Sequence, residues 1–293
     1  MPLPKFEYVA AHSIEEAANM AAEMGGKCLV MAGGTDVIPL LKDRVATPEF
    51  ILDLKTIPGL DGLEFVPGEG LKIGALTKLR DIETSEAVKK EMPAVADAAH
   101  YVASTQIRCK GTMAGNICNA SPSADTPPIL IAMNASVKTA RKNGTGRTIP
   151  IGEFFRGVKK TNLDAEEGEL LTEIDIPELK SGEGSAYYKH AVRKAMDLAI
   201  IGVASWVKMD GRKIADCRIA VGGAAITPVR AKSAEAMLIG QEFSDELLEK
   251  AAEATAKDIR PISDVRASAE YRTDMVRVFT KRSFKKAIET IKA

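Results

Sequence analysis

One stretch constrains this chain more than any other: Gly111-Thr112-Met113-Ala114-Gly115-Asn116-Ile117-Cys118-Asn119-Ala120-Ser121-Pro122-Ser123-Ala124-Asp125. It gathers small residues, hydroxyls and one acid between two apolar segments. Where side chains are small, the backbone can approach a ligand closely. Thr112, Asn116 and Ser121 add short polar groups that hold an anion or a sugar without bringing a charge. Pro122 fixes a turn, and Asp125 stands just ahead of the apolar run Ile129-Leu130-Ile131-Ala132-Met133. Taken alone, the stretch reads equally well as a Gly/Ser-rich surface loop.

A second stretch shifts that balance. Cys28-Leu29-Val30-Met31 has the look of a short buried strand and runs straight into Ala32-Gly33-Gly34-Thr35-Asp36. A strand that ends in two glycines can present its backbone N–H groups as an anion-binding nest. No Gly-Lys-Ser/Thr follows, so this is not a Walker A loop, and no GxGxxG fingerprint occurs anywhere in the chain. Two such turns, far apart in sequence, can clamp one diphosphate from two sides.

AGGTD at 32–36 followed by GTxxGNIxxASPxxD at 111–125 resembles the flavin-binding subunit of the molybdenum hydroxylases, the xanthine dehydrogenase, carbon monoxide dehydrogenase and nicotinate dehydrogenase type of enzymes. Further matches are Glu169-Leu170-Leu171, Ile174-Asp175-Ile176-Pro177, Tyr188-Lys189 with Arg193 and Asp197, and the tail segment from Asp264 to Arg272. They extend the resemblance over nearly the whole chain. The fold it implies is α+β: a two-subdomain FAD-binding domain of the PCMH (vanillyl-alcohol-oxidase-like) type, followed by a C-terminal α+β domain with an antiparallel sheet and three helices. The expected units are residues 1–56, 57–178 and 185–293.

The resemblance also implies a set of cofactor-binding residues. Met31, Ala32, Gly33, Gly34, Thr35, Asp36 and Val37, with Thr112, Ala114, Gly115 and Asn116, would take the diphosphate and ribitol of FAD. Ala114 stands where the family usually has glycine, which is tolerable only at negative φ. Asp125 would meet the adenosine side, Cys118 and Leu171 the ring or the adenine, and Lys189 the pyrimidine edge of the flavin. A cation at that edge stabilises negative charge on the reduced ring. Arg193 and Asp197 are expected as an internal pair. In the resembled assembly a large subunit holds molybdopterin, a small one holds two [2Fe–2S] clusters, and FAD passes electrons to NAD or another acceptor. This chain would be the medium subunit of a heterotrimer or a dimer of heterotrimers.

Composition fits that reading. Lys plus Arg and Asp plus Glu number 40 each in 293 residues, so no net field recruits nucleic acid or an anionic membrane. No apolar run reaches bilayer-spanning length and Met1 to Tyr8 lacks a signal-peptide core, from which a cytoplasmic protein is expected. Cys28, Cys109, Cys118 and Cys217 form no CxxC pair, and His12, His100 and His190 lie far apart, so no metal site is expected in this chain. No paired carboxylates or nucleophile–base pair can be read either, as expected of an electron carrier. Two other functions remain open at this point: a stand-alone flavin oxidase, which needs a base beside the flavin, and a non-enzymatic nucleotide-binding scaffold.

Periodicity and turn residues give the remaining elements. Ser13 with Glu16 predicts a capped helix that stops at Gly25-Gly26. Strands are expected at 28–31 and 50–54, a short helix or bend at 37–41, and hairpins at 62–74 and 136–150. Thr77 is expected to cap a helix through Asp81, and Met92 to Val102 to form a longer one. A strand from Leu170 to Ile176 is followed by a polar linker over 179–185 and strands at 187–192, 200–209 and 214–221. Helices at 230–238, 245–257 and 269–291 end the chain. The last carries Arg272, Arg277, Lys281, Arg282, Lys285, Lys286 and Lys292, either a solvated basic face or a docking face for an acidic partner.

Overall fold

The computed structural model describes residues 3–292; Met1, Pro2 and Ala293, at the ends of the first and last expected units, lie outside them. Strand β1 (Glu7–Ala10) leads into helix α1 (Ile14–Met24). The Ser13 hydroxyl accepts from the Glu16 N–H at 3.1 Å, and the Glu16 carboxylate accepts from the His12 N–H at 2.6 Å. That is a capping box with its return bond one residue early. Gly25, at φ +53°, ends the helix. With β2 (Cys28–Met31), α2 (Val37–Lys42) and β3 (Phe50–Asp53), the chain completes a three-stranded parallel sheet in the order β1-β3-β2. The C-terminal end of β2 opens directly into the first glycine turn.

Strands β4 (Leu63–Val66) and β5 (Gly70–Gly74) form the first expected hairpin. Six helices follow: α3 (Leu79–Thr84), α4 (Glu86–Glu91), α5 (Pro93–His100), α6 (Thr105–Arg108), α7 (Met113–Cys118) and α8 (Thr126–Ala132). Then come β6 (Ser136–Ala140) paired with β7 (Thr148–Pro150), the ribbon β8 (Phe155–Gly157) with β9 (Lys160–Thr161), and β10 (Leu170–Pro177). Strand β10 is the centre of a five-stranded antiparallel sheet, β4-β5-β10-β6-β7. Thr77 is not the cap of α3: its hydroxyl donates to the Gly62 carbonyl at 2.7 Å and Lys78 takes the cap position. The long helix expected from Met92 stops at His100, and Ala103 turns the chain at φ +45°.

The third sheet, β11 (Glu183–His190), β12 (Ile201–Asp210), β13 (Lys213–Gly222) and β14 (Val229–Arg230), is antiparallel and in sequence order. Helices α9 (Lys232–Leu238), α10 (Asp245–Asp258) and α11 (Ala269–Glu289) complete the chain. Strand β11 begins inside the expected linker because α11 lies against it: a Cβ on Gly184 would overlap the Ala287 carbonyl. Most of the basic residues of α11 are paired with acids of this chain. Arg277, Lys281 and Lys285 bind Glu253, Glu249 and Asp245 of α10, Lys286 binds Glu289, and Lys292 binds Glu91. Arg272 is buried.

The apolar interior does not stop at the 179–185 segment. The largest buried cluster runs from Leu71 through Met113, Ile117, Ile129 and Leu130 to Tyr187, Ala204, Trp206 and Ala220. Helix α8, buried from Thr126 to Ala132, is wedged against β12 and β13. Arg218 reinforces this seam, its guanidinium 3.6 Å from the Trp206 ring centre and its Nε donating to the Ala132 carbonyl at 2.7 Å.

Candidate cofactor site

Two motifs far apart in sequence meet backbone to backbone. A Cβ on Gly33 would fall on the Lys110 carbonyl and within 2.9 Å of the Gly111 Cα. Only glycine permits that approach. Gly34 lies at φ +77° and turns the chain away from β2. From the other side, Thr35 Oγ1 would stand 3.2 Å from a Cβ on Gly111. Asp36 completes the junction: its carboxylate accepts from Asn119 Nδ2 at 2.9 Å, and Asn119 Oδ1 accepts from Lys159 at 2.6 Å. Burial holds the Asp36 carboxyl above its ordinary value, against the pull of Lys159. The N–H groups of Gly33, Gly34, Thr35 and Asp36 donate to no protein acceptor among the described residues.

The second motif is a helix start, not an open loop. Thr112 caps α7 by accepting the Gly115 N–H at 2.9 Å, and a Cβ on Gly115 would crowd that hydroxyl at 3.0 Å. Ala114 sits inside α7, where φ is negative, so its methyl group is accommodated. Asn116 Oδ1 accepts from the Thr126 hydroxyl at 2.6 Å, so that bond does not engage the Asn116 amino group. Cys118 is half-buried, and desolvation pushes its thiol up to about 12, so it serves as a small apolar surface. Leu171 is buried in β10, in the same apolar cluster as α7; Met31 and Val37 flank the first turn.

Asp125 and Lys189, to which the resemblance gave opposite ends of a dinucleotide, form one buried ion pair. Lys189 Nζ donates to Asp125 Oδ2 at 2.9 Å, to the Tyr101 carbonyl at 2.9 Å and to the Asp197 carbonyl at 2.7 Å. All three of its donors are used, so Lys189 has none left for a ligand. Asp125 Oδ1 also accepts from the Tyr187 hydroxyl at 2.9 Å. Burial raises the Asp125 carboxyl to about 6 even though Lys189 and Tyr187 pull it down. It is therefore ionised at neutral pH and keeps lone pairs free to accept from a ligand. A single ion pair can serve only one end of an extended cofactor. The expected Arg193–Asp197 pair is present: Asp197 accepts from the Arg193 N–H at 3.0 Å, with the guanidinium 3.7 Å away.

Sequence reasoning missed Tyr187, Tyr101, Asn119 and Lys159. Tyr187 was within reach of strand alternation, because it shares a face of β11 with Lys189. Tyr101 contributes a backbone carbonyl, which carries no residue-type signal.

This strand-end glycine turn and capped Gly-Asn helix meet in a chain whose sequence is that of a flavoprotein of the molybdenum-hydroxylase class. Residues 4–179 match the family described as FAD binding domain in molybdopterin dehydrogenase, and residues 186–287 the CO dehydrogenase flavoprotein C-terminal domain. The chain belongs to this family of FAD-binding medium subunits. It is 36% identical over 282 residues to the glyceraldehyde dehydrogenase medium chain of Sulfolobus acidocaldarius, covering 96% of this chain and 98% of that one. To the carbon monoxide dehydrogenase medium chain of Hydrogenophaga pseudoflava it is 35% identical over 284 residues, 97% of each chain. A solved structure of carbon monoxide dehydrogenase from Hydrogenophaga pseudoflava superposes with a TM-score of 0.94 at 35% identity, covering 100% of both chains. No helix among the described residues is long and apolar enough to cross a membrane.

Proposed function

We propose that this chain holds FAD in the cradle between its two glycine motifs and relays electrons from a partner [2Fe–2S] subunit to NAD or another acceptor. A large molybdopterin subunit would transform the substrate in the same cytoplasmic assembly, a heterotrimer or a dimer of heterotrimers. The observation that carries this reading is the contact of Gly33 with Lys110 and Gly111, beside four backbone N–H groups that no protein group uses among the described residues. Those amides suit a diphosphate, which needs donors and close backbone approach and no opposing carboxylate. Gly33, Gly34 and Thr35 would take one side of it, Ala114, Gly115 and the Asn116 amino group the other.

At the ring end, Asp125 is the group that touches the cofactor and Lys189 the group that holds Asp125. A buried carboxylate accepts from a ring N–H and fixes its orientation, and the adjacent ammonium keeps the local charge near neutral. FAD bound there supplies the capacity to take electrons in pairs and release them singly. Cys118 and Leu171 would exclude water from one side of the cofactor.

The test is the visible spectrum of the purified chain after incubation with FAD, before and after dithionite, with acid release of the bound flavin. One bleachable, acid-released FAD per chain is expected, and Gly33→Ala, which drives a methyl into the Lys110 carbonyl, should retain almost none. A chain that stays colourless in excess FAD would overturn the reading in favour of a scaffold. Flavin that survived acid would indicate covalent attachment and a stand-alone oxidase.

A further inference from the structure

The tail segment from Asp264 to Arg272 has no place in the cradle, yet Arg272 is among the most buried charged residues in the chain, at 3% exposure. Its guanidinium reaches three separate turns. Nη1 donates to the Ile200 carbonyl and, at 3.1 Å, to the Gly223 carbonyl; Nη2 donates to Asp264 at 2.8 Å. Asp264 is itself fixed by the Arg266 and Ala267 N–H groups at 2.9 and 3.2 Å.

Two of those turns lead back to the buried ion pair. Ile200 closes the loop after Lys189, donating its N–H to the His190 carbonyl at 2.8 Å, and this loop supplies the Asp197 carbonyl that binds Lys189. Gly223 donates its N–H to the Pro122 carbonyl at 2.7 Å, in the same turn as Asp125. Next to it, a Cβ on Gly222 would stand 2.8 Å from Pro128. Gly223 has φ +75°, and a Cβ there would press on the Ile200 carbonyl at 2.8 Å. One guanidinium thus holds the Lys189 loop directly and the Asp125 turn through a single intervening residue.

We propose that Arg272 is a positioning residue for the ring end of the cofactor site, setting from α11 the spacing at which Asp125 and Lys189 meet. This rests on the proposed FAD function. The planar fork is what the task requires, since it engages two carbonyls and a carboxylate at fixed angles. Its Nε is buried with no acceptor among the described residues, a cost the other bonds must offset. A residue kept for stability alone has no need to reach both loops.

The experiment compares Arg272→Met, Arg272→Lys and, as a control on the exposed side of α11, Arg277→Met. Each flavin-free chain is titrated with FAD, and the thermal midpoint of the free chain and the visible circular dichroism of the bound flavin are recorded. Arg272→Met should weaken FAD binding about tenfold or more and change the flavin dichroism, Arg272→Lys should recover part of both, and Arg277→Met should match wild type. If Arg272→Met fails to fold, Asp264→Asn leaves the two carbonyl bonds in place and should weaken binding about threefold. A folded variant at either position that binds FAD within about twofold of wild type, with unchanged dichroism and only a lower thermal midpoint, would overturn the proposal. Failure of the wild-type chain to bind FAD would instead remove the functional reading on which it stands.

Discussion

Asp125 makes the pH behaviour of the site readable from one carboxyl. Its value in the folded chain is raised from 3.8 to about 6, chiefly by burial. Between those values the folded chain holds a proton that the unfolded chain has released, so this group's contribution to stability falls as pH rises through that window. Above about 6 the carboxylate is charged and paired with Lys189, and on the proposed function it would then accept from the cofactor. FAD affinity is therefore expected to rise with pH through a transition near 6, and Asp125→Asn to flatten the profile at low affinity. Titrating FAD binding from pH 5 to pH 8 in both chains checks this; a wild-type profile without a step near 6 would show that Asp125 does not face the cofactor.

Among the elements, what was legible in the sequence was what local chemistry specifies. The Ser13–Glu16 box, the hairpin turns at Pro67–Gly70 and Asn143–Gly146, and the Asp210-Gly211-Arg212 turn each carry their own instruction, and each element formed where expected. The stretch after Val102 did not, because α6 and α7 are only 4 and 6 residues long and are rich in residues that make poor helices. They exist through caps at Ser104 and Thr112 and through tertiary bonds. In the site, the glycine turns were legible because a close backbone approach demands glycine. The role of Lys189 was not, because its acceptors come from three separate turns, two of them as carbonyls any residue could supply.

Arg108 shows how α6 is held. It donates to Glu83 through Nε at 2.8 Å and Nη2 at 3.1 Å, and to the Val102 carbonyl at 2.9 Å. Burial alone would raise Glu83, but the bonds from Arg108, His100 and Arg80 outweigh it and bring the carboxyl from 4.5 to about 2. Its stabilising contribution is thus complete above pH 4.5 and is lost as pH falls toward 2. Glu83→Gln should cost about 3 kcal/mol at pH 7 by stranding Arg108. Urea unfolding at pH 7 and pH 3 tests this, with the gap between wild type and variant expected to shrink at the lower pH.

At the scale of the molecule, the 179–185 segment joins two parts that share one interior. Helix α8 and Trp206 belong to the same buried cluster, and the Asp125–Lys189 pair spans the seam, one partner from each side. Pairings this distant in sequence carry a larger loop-closure cost than local ones. When both glycine turns have left the ribosome, Lys189 and Arg272 are still to be made, so the Asp125–Lys189 pair can form only after the later strands follow. Refolding followed through Trp206, the chain's one tryptophan, is accordingly expected at a rate independent of added FAD, with flavin quenching trailing behind it. A rate that climbed with FAD would mean that the cofactor templates the fold. A rate independent of FAD would mean that the chain folds first and the flavin binds the finished fold.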